Sequence, residues 1–245
     1  MKKIISVAIL GMFISTSAGV AMAASKVDGK VTNKATINKA INASIGEKSK
    51  ARMGSVAIKN STIGKTGKVT NKATIKKAIN ASIGKGSTAN MGSIDMQGSR
   101  ITGKVTNTAK IKKAINASIG DRSRANMGSI SMKNATIGKT GKVTNKANIK
   151  KAINASIGKG STANMGSIDM KDSKVKGKVT NTAKIKKAIN ASIGANSTAN
   201  MGSISLKNTT VGKSGVITND ANISKAINAS IGKGSTSSIG SVEME

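Results

Sequence analysis

The chain has 245 residues, with 41 Lys+Arg against 9 Asp+Glu, a formal net charge of +32, and no His, Cys, Trp, Tyr or Pro. Without imidazole or thiol, the usual general bases, thiolate nucleophiles, zinc sites and haem ligands are excluded, and no disulfide can hold the chain together. Phe13 is its one aromatic residue, so an ordinary globular core, in which rings dominate the buried area, is not expected.

Residues 1–23 read as a secretory signal peptide. Lys2-Lys3 supplies the positive end, Ile4 through Ile14 an apolar run too short to span a bilayer, and Ala21-Met22-Ala23 the small-residue exit. Cleavage after Ala23 leaves a domain of residues 24–245 with a net charge of about +30 and no ring. No later apolar run reaches membrane-spanning length. The expected location is secreted, extracellular or at the cell surface, with the periplasm also consistent with such a leader.

From residue 29 onward the chain is six copies of one unit. Lys-Ala-Ile-Asn-Ala-Ser-Ile-Gly recurs verbatim from Lys39, Lys77, Lys113, Lys151, Lys187 and Lys225, each time after a Gly-Lys-Val-Thr-Asn-like segment starting at Gly29, Gly67, Gly103, Gly141, Gly177 or Gly215. Such self-similarity is the mark of a stacked repeat architecture. The spacing alternates between 38 and 36 residues, so the repeating object is also a 74-residue pair. Odd units carry two extra residues, as Ile63-Gly64-Lys65-Thr66-Gly67 against Ile101-Thr102-Gly103. Two residues preserve the inside/outside parity of a strand but rotate a helix face by about 200°. This part of the unit is therefore a strand or the turn between strands.

Within a unit, Ile101, Gly103, Val105, Asn107, Ala109 and Ile111 alternate with polar residues, and Ile115, Ala117 and Ile119 continue the same parity. Lys113 is the misfit and marks a corner. Ala125 and Met127 follow, then Ile130 and Met132 after a parity change beside Gly128. Gly120-Asp121-Arg122-Ser123 and Gln97-Gly98-Ser99 read as turns. Three or four short strands per unit result. A helix competes for one segment: Thr106-Asn107 can cap a helix holding Ile111, Ala114, Ile115 and Ile119, stopped by Gly120. Ile, Thr, Asn and Ser suit strands better. The expected fold is an all-β tandem-repeat β-solenoid, with a strand-plus-helix solenoid as the alternative.

Stacking makes neighbours of equivalent residues. Glu47, Lys85, Asp121, Lys159, Ala195 and Lys233 then alternate in charge down one column, as cross-strand pairing favours. Asn33, Asn71, Asn107, Asn145, Asn181 and Asn219 form a second column, and Asn42, Asn80, Asn116, Asn154, Asn190 and Asn228 a third. Stacked amides can donate to one neighbouring rung and accept from the other. Lys39, Lys77, Lys113, Lys151, Lys187 and Lys225 would repel one another by about 0.9 kcal/mol per neighbour at a rung spacing of ~4.8 Å. Either each unit makes two rungs or an anionic partner lies along the stripe, and the two are compatible. The sixth unit, with Val216 for Lys, Ile239 for Met and the ending Glu243-Met244-Glu245, reads as a cap.

Enzymatic chemistry is not expected, because none of the nine acids recurs in every unit and no His activates the serines. The Met pairs, such as Met91 and Met96, match soft-metal ligands in type but equally supply flexible core volume in a chain without rings. No metal and no cofactor is expected. The charge attracts phosphate and carboxylate polymers, but without aromatic platforms any nucleic acid would be held by its backbone alone.

Tandem Asn-, Ser-, Gly- and Ala-rich strand–turn–strand repeats, as in Ile115-Asn116-Ala117-Ser118-Ile119-Gly120 through Ala125-Asn126-Met127-Gly128-Ser129-Ile130, resemble the subunits of bacterial extracellular amyloid fibres of the curlin and Fap types. The resemblance covers nearly the whole of residues 24–245. It departs from curlin in lacking regular Gln and aromatic positions and in its strongly basic charge. A fainter likeness is to the Ala-Ile-Gly repeats of trimeric autotransporter heads, without their stalk or anchor. The resemblance implies a stacked β architecture and a matrix role. The expected function is thus a secreted, non-enzymatic structural or matrix protein of the bacterial surface, able to extend through its end rungs, with a lysine stripe for anionic polymers. The alternative is a monomeric polyanion-binding module or adhesin that forms no fibres. Expected partners are the chain itself and anionic polymers such as extracellular DNA, polysaccharide or lipopolysaccharide, with no small-molecule substrate.

Overall fold

The computed structural model describes residues 5–10, 19–23 and 26–244. Among them there is no helix, and the repeats stack as a parallel β-solenoid. The segment open to a helix is strand: Lys104–Ile119 runs as one element of 16 residues.

Each repeat makes one rung. Lys104–Lys112 lies in register between Lys68–Lys76 and Lys142–Lys150, with Val105 beside Val69 and Val143 and Ile111 beside Ile75 and Ile149. After the long strand come Arg124–Met127, Ile130–Lys133 and Thr136–Ile137, each paired in parallel with its equivalents in the rungs on either side. Six rungs at ~4.8 Å span about 24 Å between the first and last. The two-rung option for the lysine stripe is thereby removed. Ile5–Leu10 and Gly19–Ala23, within the segment read as a leader, pair in parallel with Lys30–Ile37 and Ser55–Lys59.

The length alternation is confined to one turn. In odd units Gly67 N–H donates to Gly64 O (2.9 Å), while in even units Thr102 and Gly103 both donate to Ile63 O (2.8 and 3.2 Å). The strands on either side therefore keep their register.

Two stacks fill the interior. Val105, Ile130, Met132 and Ile137 with their equivalents form one, and Ala109, Ile111, Ala114 and Met127 with theirs form the other. The methionines of the first five rungs are core: Met91, Met127 and Met165 are fully enclosed, whereas Met244 on the last rung is exposed. Burying each Ile or Met contributes about 1.5–3 kcal/mol.

The long strand turns a corner at Lys112-Lys113. Lys113 has φ 49°, and the corner leaves Lys112 and Lys113 both outside, so the parity inverts. Ala114, Asn116 and Ser118 are buried, whereas Ile115 and Ile119 are 40% and 42% exposed. The sequence alternation runs on through Ile115, Ala117 and Ile119, but the corner turns that set outward. What fills the narrow arm beyond it is polar. Asn116 Nδ2 donates to Asn154 Oδ1 (2.8 Å) and to the backbone carbonyls of Ala89 (3.0 Å) and Asn126 (3.2 Å).

Candidate functional site: a lysine face and a concave groove

The outer side of Lys104–Lys112 and its equivalents carries only Lys, Thr and Asn on the first five rungs. Lys30, Lys68, Lys104, Lys142 and Lys178 stack in one column, and Lys76, Lys112, Lys150 and Lys186 in another. All are exposed. An acid enters this face only on the last rung, as Asp220 beside Thr182.

The corner column, Lys39, Lys77, Lys113, Lys151, Lys187 and Lys225, adjoins the second of these. Backbone bonds from Lys151 N–H to Lys186 O (3.0 Å) and from Lys187 N–H to Ser224 O (3.1 Å) show neighbouring corners one rung apart. The two columns enclose a cleft of about 360 Å³ lined by Lys76, Lys77, Lys112, Lys113, Lys150 and Lys151, and a second of about 340 Å³ continues it to Lys225. Lys77, Lys113, Lys151, Lys187 and Lys225 have φ of 36–51°. This left-handed conformation costs an L-residue about 1–2 kcal/mol. At the corner after Ile130–Lys133, where φ is also positive, the chain uses Asn60, Gly98, Asn134, Asp172 and Asn208, residue types that tolerate it. The lysine corner never makes that substitution.

The Asn columns are continuous ladders. From Asn33 to Asn219 each Nδ2 donates to the next Oδ1 at 2.7–2.9 Å, and from Asn42 to Asn228 at 2.7–2.8 Å. They lie inside the solenoid and hold rungs together. The column of Glu47, Lys85, Asp121 and Lys159 stacks as expected in order, but among the described residues no ion pair closes along it. Asp121 Oδ1 instead accepts from the Lys159 backbone N–H (3.0 Å), because at a turn the amide lies nearer than a long, solvated ammonium group.

Sequence reasoning missed a second feature, on the opposite side of the core. Gly128, with φ 62°, bends the chain inward between Arg124–Met127 and Ile130–Lys133, and a Cβ there would lie 3.3 Å from that of Ala109. Residues pointing away from the core on these two strands consequently face each other in a concave groove. Asn126 and Ser131 are almost wholly buried although neither enters the core. One cavity of about 500 Å³ runs from Arg122 and Arg124 past Asp169 to Glu243, and another of about 230 Å³ joins Lys50, Lys59, Asp95 and Arg124. A third Asn ladder lies behind it, Asn200 to Asn164 to Asn126 to Asn90, at 2.9–3.1 Å. Asn164 also donates to Asp169 Oδ2 across the corner (3.2 Å). Burial holds the Asp169 carboxyl above the usual carboxylate range, with Arg124 and the Asn164 amide opposing. Partial burial, then the charges of Lys59 and Arg52, lower Lys50, as expected where two cationic walls meet. The Gly at each bend was the signal available, since it marked a parity change whose concave side the sequence does not reveal.

Comparison of the chain with family models, with curated proteins and with solved structures found no match.

Proposed function

We propose that this chain is a secreted structural repeat protein of the cell surface, a β-solenoid rod that holds an anionic polymer along its lysine face and extends through its end rungs. The repeat solenoid is compatible with a structural role. The observation that carries the polymer is the corner column. Six lysines at single-rung spacing repel by about 0.9 kcal/mol per neighbour even in water, and five of them occupy a backbone conformation that Asn or Gly would fill at lower cost. Repulsion retained in every unit, and strain retained in five of the six, mark a functional constraint. A polyanion laid in the clefts removes the repulsion and releases its own counterions.

The alternative, a monomeric polyanion-binding module or adhesin, rests on the same face and differs only in assembly. Sedimentation at physiological salt, with and without duplex DNA and with imaging of the pellet, separates the two. Ordered fibres without DNA support the structural subunit. A monomer that pellets only with DNA supports the binding module, and a monomer indifferent to DNA removes duplex DNA as the polymer.

A further inference from the structure

On the lysine face the 74-residue pair only shifts one lysine between two columns, as Lys72, Lys110, Lys146 and Lys184 on rungs two to five, and leaves the corner column unchanged. It does organise the groove. Successive rungs there place Ala57, Asp95, Ser131, Asp169, Ser205 and Glu243 in one column. Acid thus recurs every second rung, a repeat of about 9.6 Å. The wall opposite alternates in step over the first four rungs, and Thr198 and Thr236 complete it on the fifth and sixth. Lys50 and Arg124 stand on the first and third rungs, and Thr88 and Thr162 on the second and fourth. Arg122 adds a further cation to the third rung, where the neighbouring rungs have Gly86 and Gly160. Over these four rungs, purely cationic subsites therefore alternate with subsites that carry hydroxyl and carboxylate, the fourth of which also holds Lys171 beside Asp169.

Unsatisfied polar atoms lie in the same corner. Where the third Asn ladder runs out, Asn90 Nδ2 and Asn200 Oδ1 have no partner although both residues are 1% exposed, and Arg52 Nε is buried without one. Such groups are costly to bury unless something hydrogen-bonds to them.

We propose that this groove binds a linear acidic polysaccharide with a disaccharide repeat and one anionic group per disaccharide. Two rungs match the length of a disaccharide in an extended chain. The anionic sugar would meet Lys50, Arg52 and Lys59 on one rung or Arg122, Arg124 and Lys133 two rungs on. The intervening sugar would donate its hydroxyls to Asp95 or Asp169 and accept from Thr88 or Thr162. A polymer with an anion on every residue would set half of its charges against those two carboxylates. Duplex DNA, with phosphates every ~3.4 Å along a strand, would do the same. The site is separate from the lysine face and does not depend on that reading.

The test titrates the full chain calorimetrically at physiological salt with three probes: an alternating uronate–N-acetylhexosamine decasaccharide, a homopolyuronate decamer, and duplex DNA. The alternating glycan is expected to bind at least about tenfold more tightly than the homopolymer. R122A/R124A should weaken it by about tenfold or more, and K76A/K112A/K150A on the other face should leave it within about twofold. Equal affinity for the two glycans, no binding of the alternating one, or a loss that follows the lysine-face variant would each overturn the proposal. The first comparison uses the unaltered chain, so misfolding of a variant cannot mask the result, and the DNA arm reports on the lysine face separately.

Discussion

Asn116 Nδ2 lies 2.8 Å from Asn154 Oδ1, 38 residues onward, and 3.0 Å from the carbonyl oxygen of Ala89, 27 residues back. One buried amide thus ties together three rungs. Asn116→Ala would orphan the Asn154 oxygen and remove one of the two partners of the Asn80 amide, which donates to Asn116 (2.8 Å) and to the Ala51 carbonyl (3.1 Å). We expect a loss of about 2–3 kcal/mol in urea unfolding. Asn228→Ala, on the open last rung where water can replace the lost bonds, should cost less than half of that. Equal losses would show that ladder position is irrelevant.

Stability and polymer binding should move in opposite directions at the corner. Lys113→Asn relieves both the left-handed backbone cost and two lysine–lysine contacts, so unfolding should become harder by about 1 kcal/mol. The same change should lower the salt dependence of duplex DNA binding by about 0.9 in log–log slope, as for one lost phosphate contact. A stabilised variant with an unchanged slope would remove Lys113 from the binding face.

Two isoleucines four residues apart should respond very differently. Ile111→Ala opens a cavity between Met127 and the stacked Ile75 and Ile149 and should cost about 2–5 kcal/mol. Ile115→Ser acts on an outward side chain and should stay within about 0.5 kcal/mol of the parent. Thermal melts of the pair test the parity inversion at Lys113 directly.

The Asp169 carboxyl, raised by burial, makes a pH-dependent contribution. The folded chain holds its proton to higher pH than the unfolded chain does. This site therefore favours folding below the ordinary carboxylate range and loses that contribution as pH rises through the folded pKa. Asp169→Asn can still accept from Asn164 and should melt higher than the parent at neutral pH. The difference should vanish on acidification; a constant difference at all pH values would contradict the burial effect.

Deleting residues 215–245 should accelerate assembly. The last rung replaces Lys with Val216 and Ser224 and carries Asp220 and Glu243, charges that discourage end-to-end pairing. Without it, the exposed edge is Lys178–Lys186 with its intact Asn181 ladder. Light scattering after dilution from denaturant reads the rate, and an unchanged rate would show that the sixth unit is no cap.

The repeat, the strand character, the corner at Lys113 and the Asn ladders were legible in the sequence, because in-register parallel stacking makes each column a copy of one position. The same identity left the number of rungs per unit undecided, since one or two layers give identical columns; only the pairing of Val69 with Val105 and Val143 decided it. The alternation put Ile115 and Ile119 on the inward parity of Val105 and Ile111, and the structure turns them outward, because a single left-handed residue inverts every side chain after it without altering the alternation. The concave groove was least legible of all. Asn126 and Ser131 read as solvent-facing polar residues, and the inward bend at Gly128, set by its packing against Ala109, is what brings them and the alternating Asp and Arg residues into one channel.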